Sequence, residues 1–186
     1  MDKITSKIFE IYTALGPADT EAIVEVGGVI KQSNRYHATT VTQQQMGALK
    51  RLVTENGSVD CFPAVDLLRL ASCHPSVCER EYLGYWVGVV DSVVGAMEKD
   101  LAAVAVNMLG FRLVCNLLKP VAFVESSVLW SGERVAKISQ LAGKVFEGNA
   151  NKNVRCEYGA RRASEERQNA LLRALDRSIE NARTRF

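Results

Sequence analysis

Apolar residues recur at steps of three and four along almost the whole chain, and strict alternation is nearly absent, so the pattern predicts helices rather than strands. Ile4, Ile8, Ile11, Tyr12 and Leu15 form a first stripe, which Gly16-Pro17 punctuates. A second helix is expected to open with Asp19 or Thr20 as N-cap and to run through Ile23, Val26 and Ile30. Its Gly27-Gly28 pair weakens it by about 1 kcal/mol per glycine relative to alanine. Thr42 with Gln45 reads as a capping box for a helix carrying Met46, Leu49, Leu52 and Val53, closed by Asn56-Gly57. Pro63 suits the first turn of the next helix, where a missing N–H costs nothing; that helix carries Val65, Leu67, Leu68, Leu70 and Ala71 and stops at Pro75.

From Glu79 to Glu98 a longer helix presents Tyr82, Leu83, Trp86, Val89, Val90, Val93, Val94 and Met97. The four-residue spacing of its valine pairs, with no turn signal between them, favours helix over strand. The stretch from Asp100 to Leu118 is apolar on most faces, which marks a helix central to the core. A loop or short turn follows Pro120, and Ser131 caps a helix through Val135, Ile138, Leu141 and Val145. A last, basic helix starts at Ser164 and packs through Leu171, Leu172, Leu175 and Ile179. The fold class is all-α. Periodicity alone leaves bundle, globin-like and solenoid arrangements open, and degenerate repeats of about 40 residues would not stand out in one sequence.

Composition adds little that is unusual. The 186 residues are 47% apolar and 24% charged, which suits a globular domain with a substantial core. A net charge of +2 is too small for a nucleic-acid coat or a basic membrane anchor. No apolar run has the length of a membrane span, and Met1-Asp2-Lys3-Ile4-Thr5 carries no signal-peptide core. Cys61, Cys73, Cys78, Cys115 and Cys156 are odd in number, and three sit in apolar-periodic stretches as small hydrophobes. The expectation is a reduced protein of the cytoplasm, or of cytoplasm and nucleus, without a membrane partner. Asn56-Gly57-Ser58 matches a glycosylation sequon but reads as a turn in that setting.

Catalytic chemistry is sparse. His74 lies between Cys73 and Cys78, which invites a zinc or thiol-protease reading. Structural zinc wants four ligands, however, and no second close Cys/His pair exists. A histidine before a proline at a helix end suits the negative pole of the helix dipole instead. His37 sits in a polar loop and is expected to be exposed. No Gly-rich phosphate loop, G-x-S-x-G elbow or H-E-x-x-H pair occurs, so neither an enzyme nor a cofactor or metal is expected. Basic residues gather late: beyond residue 150 there are nine Lys and Arg against five Asp and Glu. Few aromatics accompany them, so a solvated helical face is favoured over a nucleic-acid patch. Arg161-Arg162-Ala163-Ser164 also matches a basophilic kinase site, and a phosphate on an N-cap serine would face helix N–H groups.

Three ordered segments resemble one family. Cys61-Phe62-Pro63-Ala64-Val65-Asp66-Leu67-Leu68-Arg69-Leu70 followed by His74-Pro75 is similar to the F-P-x-x-D-[LI]-[LI]-R-x…H-P segment of the PUL domain. Asn107-Met108-Leu109, Arg112 and Asn116-Leu117-Leu118 resemble its N-x-x-x-x-R-x-x-x-N-[LM]-[LF] helix. Asn151-Lys152-Asn153-Val154 resembles its N-K-N-[VI] segment. The likeness spans roughly residues 4 to 155 and implies an armadillo-like helical solenoid without catalytic activity. In this family the domain belongs to ubiquitin adaptors of the phospholipase-activating-protein and Ufd type. It docks the C-terminal tail of the hexameric AAA segregase, valosin-containing protein. The implied domain is residues 1–155, a monomer acting within a larger protein. Residues 156–186 depart from the family pattern, being polar and Gly-interrupted before the basic helix.

A solenoid groove holding an extended peptide must answer that peptide's N–H and C=O groups. An asparagine amide does both at once. Asn107, Asn116 and Asn153 are the candidates. Asn107 and Asn116 lie nine residues apart, 2.5 turns, and so point to opposite sides of one helix. Arg112, four residues before Asn116, shares its face, and the pair ranks above Asn107. Arg69 and Lys152 would supply positive charge for an acidic tail, while a local ion pair with Asp66 is the competing reading of Arg69. Trp86 and Trp130 read as core. Alternatives of other classes are a self-assembling helical protein, or one touching nucleic acid through its basic C-terminal helix, and a cysteine-dependent hydrolase.

Overall fold

The computed structural model describes residues 1–55 and 59–148. Among these residues the structure is entirely helical, without strands: α1 (Asp2–Ile11), α2 (Pro17–Lys31), α3 (Gln43–Thr54), α4 (Phe62–Ala71), α5 (Leu83–Lys99), α6 (Val104–Leu117), α7 (Val121–Val124) and α8 (Gly132–Gly148). Lys152, Asn153, Cys156, Ser164, the basic C-terminal helix and the Asn56-Gly57-Ser58 turn lie outside the described residues.

The helices stack in two layers. In one, α1 packs on α4 and α4 on α6; in the other, α2 packs on α3, α3 on α5 and α5 on α8. The successive pairs α1–α2, α3–α4 and α5–α6 bridge the layers, so the chain advances as three stacked helical hairpins. That is the solenoid solution among the three that periodicity left open. One apolar cluster runs through the stack, from Ile8 and Ile23 through Leu49, Leu68 and Trp86 to Leu113, Phe123 and Leu141. Trp86 donates its indole N–H to the Val77 carbonyl (2.9 Å), and Trp130 is also buried, so both tryptophans are core. No helix among the described residues is long and apolar enough to cross a membrane.

Most local signals act where the sequence places them. Thr42 accepts from the Gln45 N–H (3.2 Å) while Gln45 Oε1 accepts from the Thr42 N–H (2.9 Å), a complete capping box. Pro63 sits in the first turn of α4, and Ser131 Oγ accepts from the Arg134 N–H (3.3 Å) to start α8. Gly16-Pro17 has the other meaning, though. The first helix ends at Ile11, and Gly16 is the extended N-cap of α2 with Pro17 in its first turn, so the second helix opens before Asp19. Proline is tolerated there because that N–H has no intrahelical partner. The long helix likewise begins at Leu83, after a 3-10 turn over Arg80–Tyr82, rather than at Glu79. Pro120 is followed by the single turn of α7.

The last described helix is held by ion pairs. Arg134, at the start of α8, grips Asp91 of α5 with both arms of its guanidinium (Nε to Oδ1 2.6 Å, Nη2 to Oδ2 2.8 Å). Its third nitrogen, Nη1, donates to the carbonyls of Val128 (2.9 Å) and Leu129 (3.0 Å), satisfying the turn between α7 and α8. Lys137 and Glu98 add a second bridge between α8 and α5 (2.8 Å).

Candidate functional site

α4 lies in the middle of its layer and buries Ala64, Val65, Leu67, Leu68 and Ala71. What remains for solvent is a stripe at helical spacing: Asp66, Arg69, Leu70 and, just past the helix, Cys73. Its neighbour α6 buries Val106, Asn107, Leu109, Gly110, Leu113, Val114 and Leu117, leaving Met108, Arg112 and Asn116 on the opposite stripe. Lys119 continues that stripe and is exposed. The two stripes meet along the α4–α6 seam.

Asn116 joins them. Its Nδ2 donates to the Arg69 carbonyl (3.0 Å) and to the Cys73 sulfur (3.3 Å). The Arg69 carbonyl needs such a donor because the Cys73 N–H, its regular helical partner, turns instead to Leu70 (3.1 Å) as α4 tightens at its end. The Ser72 hydroxyl supplies a second bond to it (2.7 Å). On the other side of the amide, Asn116 Oδ1 accepts from Lys119 Nζ (3.1 Å). Lys119 is thereby held near the C-terminal end of α4, where helix carbonyls favour a cation.

Arg69 pairs with Asp66 one turn earlier, through Nε (2.8 Å) and Nη2 (2.6 Å) to the same carboxylate oxygen. Both side chains are only about a fifth exposed (23% and 22%), so the local ion pair is the arrangement at rest. Arg112 is half-buried, one turn before Asn116 on the same face. Arg69 and Asn116 therefore meet at the seam, with Asp66 as a carboxylate beside them and Arg112 one turn away on the Asn116 face. Lys119 and Cys73 are further members; sequence reasoning passed over Lys119 and took Cys73 only with His74 and Cys78. Lys119 had a signal, its i,i+3 spacing from Asn116; Cys73 had none, since its partner is 43 residues away.

Asn107 goes elsewhere. It is fully buried, and its Nδ2 donates to the carbonyls of Asp100 (3.3 Å) and Leu101 (3.0 Å), which ties the approach to α6. Its buried Oδ1 has no hydrogen-bond partner among the described residues. Opposite sides of one helix thus carry opposite environments, as the nine-residue spacing requires.

His74 is not a cation at a helix pole. It is fully buried, with its ring against Tyr36 (centroids 4.6 Å apart), and both nitrogens are occupied. Nδ1 accepts from the Ser76 N–H (3.3 Å) and meets the Ser76 hydroxyl (2.8 Å), so Nε2 carries the proton and donates to Thr39 Oγ1 (3.0 Å). Burial pushes its pKa below the ordinary histidine value. The imidazole is a neutral clamp between the Thr39 loop and the turn after α4. Both its nitrogens are taken up by Ser76 and Thr39, and no group of three or more His, Cys, Asp or Glu that would hold a metal occurs among the described residues. His37 is exposed.

A cleft between α5 and α8, lined by Glu98, Leu101, Lys137 and Lys144, measures ≈ 130 Å³, and another beside Glu21, Glu25 and Gln45 measures ≈ 270 Å³. Both fall below the several hundred Å³ of ordinary small-molecule sites. No curated protein and no solved structure matches the chain. A family model does, that of the PUL domain, and it covers residues 1–158. PUL domains are armadillo-like, non-catalytic protein-binding domains, known as adaptors for valosin-containing protein. With two layers of stacked hairpins, a polar α4–α6 seam and a match over most of its length, this chain belongs to the PUL domain family.

Proposed function

We propose that the chain is a non-enzymatic adaptor that docks the C-terminal tail of a valosin-containing-protein-type AAA ATPase in ubiquitin-dependent protein handling. The observation that carries this reading is the family match over residues 1–158. The α4–α6 seam supports it with suitable chemistry. Arg69, Arg112 and Lys119 bring positive charge to one surface, and arginine meets carboxylates with two parallel hydrogen bonds. A tail N–H taking the place of Lys119 at Asn116 Oδ1 anchors the peptide backbone and frees the ammonium for a tail carboxylate. Arg112 and Asn116 are the principal contacts in this proposal, and Arg69 contributes charge beside Asp66. Lys152 and Asn153 are assigned to the same peptide by their family motif, and Asn107 acts indirectly by holding the approach to α6.

Titration of a fluorescent acidic tail peptide with the full chain tests the proposal by anisotropy. Saturable binding is expected at low salt. It should weaken as the Debye length shrinks from about 10 Å at 0.1 M to about 3 Å at 1 M salt. Arg112→Ala should lower affinity about five- to tenfold, the loss of one charge-assisted contact of roughly 1 kcal/mol or more. No saturation at about 100 μM protein, a free-energy floor near −5.5 kcal/mol, overturns the reading.

A further inference from the structure

Two thiols converge at the end of α4. Cys73 is exposed and Cys78 is half-buried. The Cys78 sulfur donates to the carbonyls of Ser72 (3.4 Å) and His74 (3.3 Å), the residues on either side of Cys73. A peptide oxygen lies about 2.8 Å from the following Cα, so the Cys78 sulfur is within roughly 6 Å of the Cys73 Cα. The Cys73 sulfur hangs from that same Cα, so the two thiols are neighbours, and the exposed Cys73 side chain can turn toward Cys78 about χ1. That rotation costs only the weak contacts of Cys73 with Asn116 Nδ2 (3.3 Å) and the Arg69 carbonyl (3.7 Å).

We propose that Cys73 and Cys78 are a redox-active dithiol that exchanges with small-molecule disulfides of the glutathione class. The inference stands whether or not the seam docks a tail. Cys73 thiolate attacks one sulfur of the oxidised reagent; a protein–reagent disulfide forms, the reagent S–S bond breaks and one reagent thiolate leaves. Cys78 then gives its proton to solvent and attacks the Cys73 sulfur. The intramolecular disulfide forms as the second reagent thiolate departs, so two protein thiols are oxidised and one reagent disulfide is reduced. Exposure assigns the first role to Cys73 and the resolving role to Cys78. Burial pushes the Cys78 thiol up to about 11, so closure is the slow step at neutral pH. Cys61 is buried and also raised to about 11, which keeps it out of the exchange. Closure lifts the sulfur off Asn116 and so alters the seam's own hydrogen bonding.

The test incubates the reduced, folded full chain with oxidised glutathione and maps the thiols by peptide mass spectrometry. The expected product links Cys73 to Cys78 with the loss of two hydrogens, preceded by a transient glutathione adduct on Cys73. In Cys78→Ser that adduct should persist, and in Cys73→Ser Cys78 should stay reduced. A Cys73 adduct that persists equally in the natural chain, a Cys73 that does not react, or Cys78 bridged to a different cysteine overturns the proposal. If either variant fails to fold, the product from the natural chain decides alone.

Discussion

Alanine at position 110 measures how closely α5 and α6 approach. Gly110 is buried in the middle of α6, and a Cβ placed there would overlap the Met97 sulfur and lie 3.1 Å from Val93 Cγ1 and 3.3 Å from Met97 Cγ. Met97 is 1% exposed, so its thioether can yield only within the core, while a helical valine is confined to essentially one rotamer. Overpacking of this kind costs about 1–3 kcal/mol, whereas glycine to alanine inside a helix gains about 1 kcal/mol of propensity. The two terms oppose each other, so Gly110→Ala by itself is expected between neutral and about 2 kcal/mol destabilising. A double-mutant cycle with Met97→Ala separates them, because the propensity gain is common to both backgrounds. In the Met97→Ala background the same substitution should be neutral or stabilising, giving a coupling of about 1–3 kcal/mol. Urea unfolding followed by circular dichroism reads all four corners. Additivity within about 0.5 kcal/mol would refute the claim that Gly110 sets the spacing of these helices. The seam has a stake in the result, since α6 carries Arg112 and Asn116 against α4 and cannot shift on α5 without straining the Asn116–Arg69 bond.

Two more outcomes follow from buried polar groups. His74 is held neutral, with its folded pKa below the ordinary value of 6.5. Its contribution to stability is therefore complete above about pH 6.5 and is lost as the pH falls from there through the lowered folded pKa. Unfolding free energies at pH 7.5, 6 and 5 should decline in the natural chain and decline less steeply in His74→Gln; equal slopes would reject the neutral clamp. At the other end of the stack, Arg134→Ala should cost about 2–3 kcal/mol and Asp91→Ala about 1. The arginine serves two backbone carbonyls as well as the aspartate, and the aspartate side chain is 54% exposed. Thermal or urea midpoints for the two variants check the order, and an equal loss would show that the carbonyl bonds contribute nothing.

The helices themselves were legible in sequence because the information that makes them is local. A three-to-four spacing of apolar residues, a Thr42–Gln45 box, a proline at position 63 and a serine at 131 each act within one or two turns. The motifs around Pro63, Arg69, Arg112 and Asn116 also indicated the family, which the match over residues 1–158 shows. Gly16-Pro17 misled because proline serves equally well after one helix and at the start of the next, and only the cap geometry tells which.

Which polar groups meet water, and which meet one another, was decided by the tertiary structure. Asn107 and Asn116 are the same residue type on one helix, yet one is sealed inside and the other joins a seam. Their fates depend on where α4 lies. Asn116 reaches Arg69 across 47 residues of chain, Arg134 reaches Asp91 across 43, and His74 reaches Thr39 across 35. Hydrogen bonds are satisfied by whatever lies within about 3 Å, and pairwise meetings over such separations follow from the stacking of layers rather than from any local period. The chain's hydrophobic rhythm therefore determined that it would be helical, and the stacking of those helices determined what its few polar residues hold.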